Sequence, residues 1–297
     1  MAKIWMRDGS PLHVRVVGRG APVLMVHGFG SDSRSWLPFV LPLAAQYRFI
    51  MPDLRGFGLS HQAPLEQACA LTQFAQDLED VLDAEQVRAA PVVGISMGAL
   101  TTVQAFKLTR GARFTRYMHV DQGPVIRNHA DYAHGLLGEA QGPFFARLQT
   151  LLQTSEAHLD QTYDQLPRPL RMEFWSLFGE FATAAFSSST VQLVLRQAAR
   201  SETVMRRILP VTRWQVYLQI IRAYLERNYD LREVFRTIQV PLTVLIGGSS
   251  RMYPAEGQRA IAGYAPHARM VELPGVGHNV PFEAPRAFMQ ELRSFLA

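Results

Sequence analysis

Short apolar runs and helix-period segments alternate along the first part of the chain. Leu12 to Val17 alternates apolar and polar positions between Gly9 and Gly18, the pattern of a half-buried strand. Val23-Leu24-Met25-Val26 is a continuous apolar run, as expected of a strand buried on both faces. Phe49-Ile50-Met51, Val92-Val93-Gly94-Ile95 and Tyr117-Met118-His119-Val120 read as further strands. Between them Phe74, Leu78, Val81 and Leu82 recur three and four residues apart, which predicts a helix; Met97 to about Leu108 predicts another. Such alternation is the signature of a parallel sheet covered by helices.

The same pattern returns near the end. Leu242 to Ile246 reads as a buried strand stopped by Gly247-Gly248, Ala255 to Tyr264 as helix, Arg269 to Leu273 as a short strand, and Glu283 to Leu296 as an amphipathic helix. Residues 125–240 have a different texture. Phe144, Phe145, Leu148, Leu151 and Leu152 form one helical apolar face, and Trp214, Tyr217, Leu218, Ile221, Tyr224 and Leu225 form a second. A crossover between parallel strands needs only about 10–12 residues. The segment therefore reads as a helical cap (125–240) inserted between two strands of a core made from residues 1–124 and 241–297.

Composition narrows the classes. A chain of 297 residues, 48% hydrophobic and 19% charged, is long enough for a large soluble core. The net charge of +5 comes from scattered arginines with no basic arm or stripe, so no nucleic-acid partner is expected. Cys69 is the single cysteine, which rules out an internal disulfide; it reads as an inert thiol. The first residues hold no apolar run long enough for a signal peptide, and nowhere do about 18 consecutive apolar residues occur. A cytoplasmic protein with no stable membrane insertion is the expectation. The nine histidines are dispersed, with no paired metal-ligand spacing and no phosphate-cradling loop, so no metal or cofactor is expected.

Three short motifs carry chemistry. Gly94-Ile95-Ser96-Met97-Gly98 joins a strand to a helix, the context of a tight turn that lifts a nucleophilic serine hydroxyl above the sheet edge. His27-Gly28-Phe29-Gly30 follows the strand ending at Val26 and brings a backbone N–H toward that serine. Acyl transfer creates an oxyanion, and losing one preorganised donor typically costs ~10²–10³ in rate. The expected donors are the N–H groups of Phe29 and Met97, with His27 bracing the loop. Gly275-Val276-Gly277-His278-Asn279, after the last strand, presents a histidine able to take the serine proton near neutral pH.

With these motifs, and with Asp53-Leu54-Arg55-Gly56-Phe57-Gly58-Leu59-Ser60, the chain resembles the α/β-hydrolase superfamily over nearly its full length. The resemblance implies the α/β-hydrolase fold and a structural role for Asp53 and Arg55. It also implies a triad acid near Ser250, after the strand Leu242 to Ile246, but Gly247 to Ala255 contains no acid. Some branches, haloalkane dehalogenase-like proteins among them, carry the acid one strand earlier. Here that position holds Asp121, and the chain order Ser96, Asp121, His278 fits the fold. Glu256, inside the next helix, is the other carboxylate considered. Those dehalogenase-like relatives use an aspartate nucleophile, whereas a serine suits acyl transfer to water.

The expected activity is hydrolysis of an ester, thioester or lactone of a small, largely apolar acyl substrate beneath the aromatic cap. A carbon–carbon bond hydrolase, a cofactor-free perhydrolase and a non-catalytic ligand-binding protein on the same fold remain as alternatives. No substrate-binding side chain and no oligomeric state follow from the sequence.

Overall fold

In a computed structural model of the protein, residues 2–65, 70–209, 211, 213–227 and 229–297 are described. Cys69 lies outside them. The strands are β1 (Ala2–Trp5), β2 (Pro11–Gly18), β3 (Ala21–Val26), β4 (Tyr47–Pro52), β5 (Ala90–Ile95), β6 (Phe114–Val120), β7 (Leu242–Gly247) and β8 (Arg269–Leu273). They form one sheet in the order β1-β2-β4-β3-β5-β6-β7-β8. The pairs β1–β2 and β2–β4 are antiparallel, and every pairing from β4 to β8 is parallel. The edge strand β1 escapes sequence reading because four residues, Ala-Lys-Ile-Trp, are too few to establish an alternation.

The helices α1 (Leu37–Val40), α2 (Ala70–Ala84) and α3 (Met97–Thr109) follow β3, β4 and β5. Between β6 and β7 lie α4 (Gln141–Ser155), α5 (Arg168–Ala184), α6 (Ser189–Ala199), α7 (Glu202–Ile208), α8 (Trp214–Glu226) and α9 (Arg232–Thr237). After β7 come α10 (Ala255–Arg259) and α11 (Ile261–Tyr264), and after β8 come α12 (Val280–Glu283) and α13 (Pro285–Leu296). The expected helix over 255–264 is thus divided in two, while the expected closing helix begins at Pro285 and is preceded by the separate turn α12. Pro285 lacks an N–H and pushes the preceding residue out of the helical region, so Ala284 sits at φ −132°, ψ 59° between α12 and α13. The stretch 255–264 breaks after Arg259.

The strands β3, β4, β5 and β7 bury both faces, as their unbroken apolar runs require. Leu24 and Val26 of β3 join Ile50, Val92 and Val244 on one side of the sheet. Val23 and Met25 join Phe49, Met51, Val93 and Leu245 on the other. The first face is covered by Phe74, Leu78 and Val81 of α2 and by Leu100 and Val103 of α3. The second is covered by Trp36, Phe39 and the α13 residues Phe288, Leu292 and Phe295. Phe288 is fully buried, and truncating such a phenylalanine to alanine costs about 3–5 kcal/mol.

Strand β3 is flanked by β4 on one side and β5 on the other, so successive connections leave it in opposite directions. Ligands of open α/β sheets bind at such a reversal, outside the carboxyl ends of the strands. The segments leaving those ends here are His27-Gly28-Phe29 after β3 and Ser96 after β5. Over them lie helices from between β6 and β7. Phe29 packs against Phe178 and Phe181 of α5 and Tyr217 of α8, with ring centroids 5.6, 5.7 and 5.8 Å apart. Among the described residues no helix is long and apolar enough to cross a membrane.

Candidate active site

Ser96 sits between β5 and α3 at φ 54°, ψ −125°, a left-handed backbone that a non-glycine residue rarely adopts. Such a conformation costs about 1–3 kcal/mol and persists only where its surroundings fix it. The Ser96 N–H donates to the Val120 carbonyl at 3.0 Å, tying the turn to the end of β6. The flanking glycines are there for space. A Cβ on Gly98 would lie 2.2 Å from the Val26 carbonyl oxygen, and one on Gly94 would lie 2.7 Å from the Gly98 carbonyl oxygen. Met97 opens α3, so its N–H is one of the four without an intrahelical acceptor.

The loop after β3 passes directly beside this turn: a Cβ on Gly28 would meet the Ser96 Cβ at 3.2 Å. His27 is fully buried and holds the loop from within. The Leu54 N–H donates to its Nε2 at 3.0 Å, so Nδ1 carries the proton and donates to the Gly28 carbonyl at 2.8 Å. Burial lowers its pKa, which keeps the ring neutral. His27 is thereby committed to two backbone partners.

Asp121 and His278 come together from residues far apart in sequence. His278 Nδ1 donates to Asp121 Oδ2 at 2.6 Å, and Asp121 is completely buried. The same Oδ2 accepts the Ser250 hydroxyl at 2.6 Å, while Oδ1 accepts the Gly247 N–H at 2.7 Å and Gln258 Nε2 at 2.9 Å. A buried carboxylate needs such donors, because an unpaired charge out of water is very costly. Close backbone contact permits the arrangement, since a Cβ on Gly247 would lie 2.1 Å from the Gly277 carbonyl oxygen. The Asn279 N–H donates to the Ala185 carbonyl at 3.1 Å, fixing the histidine loop to the chain just after α5. Asp121 itself has φ 44°.

Glu256 does not join this group. It is exposed on α10 and pairs with Arg259 at 3.4 Å. Asp53 accepts the N–H groups of Ser33 and Leu59 at 2.7 and 2.8 Å, and Arg55 pairs with Asp77 and Asp8, each at 2.7 Å. Both hold loops together. Ser250 stands out in the sequence only for the acid it replaces, and Gln258 not at all. An interior helical glutamine carries no signal until β6 and β7 are set side by side. Nor does His119 stand apart from its apolar strand in the sequence. It bonds the Tyr117 hydroxyl and the Gln122 carbonyl, both at 2.7 Å, and burial brings its pKa down to about 4.

Ser96, His278, Gly28 and Phe29 line one cavity of about 370 Å³ with Phe178, Phe181, Phe186 and Met252. Among its described lining residues there is no Asp, Glu, Lys or Arg. Among the described residues no three His, Cys, Asp or Glu side chains are grouped to hold a metal ion.

A family model described as the alpha/beta hydrolase family matches residues 23–291. The chain is 25% identical over 284 residues to a pimeloyl-[acyl-carrier protein] methyl ester esterase of Vibrio cholerae, covering 96% of this chain and 97% of that one. It is 27% identical over 280 residues to the dihydrolipoyllysine-residue acetyltransferase component of the acetoin cleaving system of Pseudomonas putida. That match covers 93% of this chain but only 64% of the longer relative. Among solved structures, an esterase from Exiguobacterium antarcticum superposes with a TM-score of 0.78 at 18% identity, covering 99% of this chain and 98% of the other.

Proposed function

The chain belongs to the α/β-hydrolase family, and on that premise we propose that it is a serine esterase acting on small, largely apolar acyl substrates. Ser96 is the nucleophile, His278 its general base and Asp121 the acid that orients the histidine. The scissile bond is an ester, thioester or lactone. Residues 125–240 form the cap domain over a core of residues 1–124 and 241–297. The observation that carries this reading is the 2.6 Å contact between Asp121 Oδ2 and Nδ1 of His278, which lines one cavity with Ser96.

The chemistry follows from that contact. An ionised carboxylate only accepts hydrogen bonds, so Nδ1 holds the proton and Nε2 of the neutral ring is left with its lone pair. Nε2 takes the Ser96 hydroxyl proton as Oγ attacks the substrate carbonyl. The resulting oxyanion lies against the N–H groups of Phe29 and Met97. Collapse breaks the bond to the alcohol or thiol, which leaves with the proton from Nε2 and an acyl group on Ser96. Water then attacks that acyl group, gives its proton to Nε2, and releases the acid as the proton returns to Ser96. Asp121 stabilises the imidazolium formed in each half and does not itself take the proton.

The absence of charged side chains from the described cavity wall supports an uncharged acyl group, since a charge placed there would lose its hydration without gaining a partner. The direct test is rapid mixing with p-nitrophenyl acetate. A burst of p-nitrophenol close to one equivalent per enzyme, absent from Ser96→Ala, is the expected result wherever deacylation limits turnover. Turnover that survives in Ser96→Ala would remove the acyl-enzyme mechanism.

A further inference from the structure

Behind the Ser96 cavity lies a second, smaller chamber of about 40 Å³ between α4, α5 and α8. Its described walls are leucine, isoleucine and phenylalanine side chains together with Tyr224. Most are buried, and the two that are only half-buried are Phe29 and Phe181. These two, with Phe178, also line the Ser96 cavity. The chamber and the serine cavity therefore share a partition of three phenylalanines.

We infer that this chamber is the terminal acyl subsite of the enzyme, taking the last carbons of an uncharged alkyl chain, and that Phe181 is the partition residue setting how long a chain fits. The inference rests on the proposed hydrolase function and deepens it. If the Phe29 N–H holds the carbonyl oxygen of the acyl group, the acyl chain departs from the carbonyl carbon past the Phe29 side chain. That ring stacks on Phe178 at 5.6 Å and meets Phe181 edge-on at 5.7 Å, so the path inward leads to the partition. The cavity wall also carries Ser31, Ser35, Asn279 and Phe282, the last 49% exposed. On this reading the alcohol leaves toward those polar and exposed residues, and the acyl chain points toward the phenylalanines.

Size and chemistry define the ligand. A water occupies about 30 Å³ in the liquid, so the chamber takes on the order of one or two methylene-sized groups beyond those held in the main cavity. Each methylene buried there raises kcat/KM by about fourfold. A chain ending in a carboxylate would bring an unpaired charge against a carbon wall. Half-esters of dicarboxylic acids are therefore poor substrates, whatever their length.

The test is kcat/KM for p-nitrophenyl esters from acetate to decanoate, with adipate monoester set against hexanoate, in the wild type and three variants. Phe181→Ala opens the partition and shifts the best chain length upward by two carbons or more. Leu177→Ala deepens the chamber and shifts it in the same direction. Leu148→Phe fills the chamber and lowers the octanoate-to-acetate ratio at least tenfold. Leu177 is buried and its truncation lowers stability, but Phe181 is half-buried, so its variant keeps the test decisive should Leu177→Ala fail to fold. Acetate turnover with a chain-length profile unchanged by Phe181→Ala and Leu148→Phe would overturn the subsite while leaving the hydrolase reading intact. Adipate monoester hydrolysed as well as hexanoate would overturn it too. A wild type that hydrolyses no ester overturns both.

Discussion

The Ser250 hydroxyl donates a 2.6 Å hydrogen bond to Oδ2 of Asp121, the same oxygen that accepts His278 Nδ1 at 2.6 Å. The end of β7, where the family resemblance places an acid, thus supplies a donor to the acid at the end of β6. The two strands are hydrogen-bonded neighbours, with Val120 opposite Leu245, so both ends approach one imidazole. The Gly247 N–H and Gln258 complete the set of donors around the carboxylate.

This arrangement predicts how the acid can be moved. Asp121→Asn presents an amide that can donate to Nδ1 and so favour the wrong tautomer, which should lower kcat by about 10⁴. Adding Ser250→Asp returns a carboxylate to the same corner, and the double variant should recover at least tenfold over Asp121→Asn. Steady-state ester hydrolysis measures both. An Asp121→Asn enzyme of near-normal rate would remove Asp121 from the triad, and a double variant with no recovery would show that residue 250 cannot reach His278.

The serine turn predicts sharply different tolerance at two glycines. In Gly98→Ala the new methyl would sit 2.2 Å from the Val26 carbonyl oxygen and 2.6 Å from that of His27, both backbone atoms. Loss of soluble folded protein, or a large fall in Tm, is expected. Gly142, in the first turn of α4, has open space where a methyl would go, with nothing within 4 Å. Gly142→Ala should be neutral or raise stability by up to about 1 kcal/mol, because alanine loses less conformational freedom on folding. Thermal unfolding of the pair checks the reading; equal effects at the two sites would count against it.

His119 predicts an acid limit on stability. Its pKa is about 4 in the folded protein against about 6.5 in an unfolded chain, because burial disfavours the charged ring. Between those values the unfolded state binds a proton that the folded state does not, so this residue's contribution falls as pH drops from 6.5 to 4. The full loss is on the order of 3 kcal/mol. Urea midpoints at pH 7.5 and 4.5 should show the wild type losing more stability than His119→Gln on acidification. Parallel losses would contradict the assignment.

Much of the fold was legible because β3, β4, β5 and β7 bury both faces and so leave unbroken apolar runs. The serine turn was legible because Gly94 and Gly98 sit where backbone leaves no room for a side chain, and that constraint is visible as spacing. Helix α6 was not, since Leu193 and Val194 lie on its exposed surface and Gln192 is its buried residue, the reverse of an inward apolar stripe. Nor were the donors around Asp121. Ser250 and Gln258 lie 129 and 137 residues from it, and no local pattern marks a side chain whose partner arrives only when two strands pair.

The central claim is that Ser96 is the activated nucleophile, and covalent labelling tests it most directly. Wild-type protein and Ser96→Ala are treated with a fluorophosphonate probe, digested, and read by mass spectrometry. One adduct on the peptide containing Ser96, absent from the variant, is the expected result. No adduct in the wild type, or an adduct that persists in Ser96→Ala, would contradict the account.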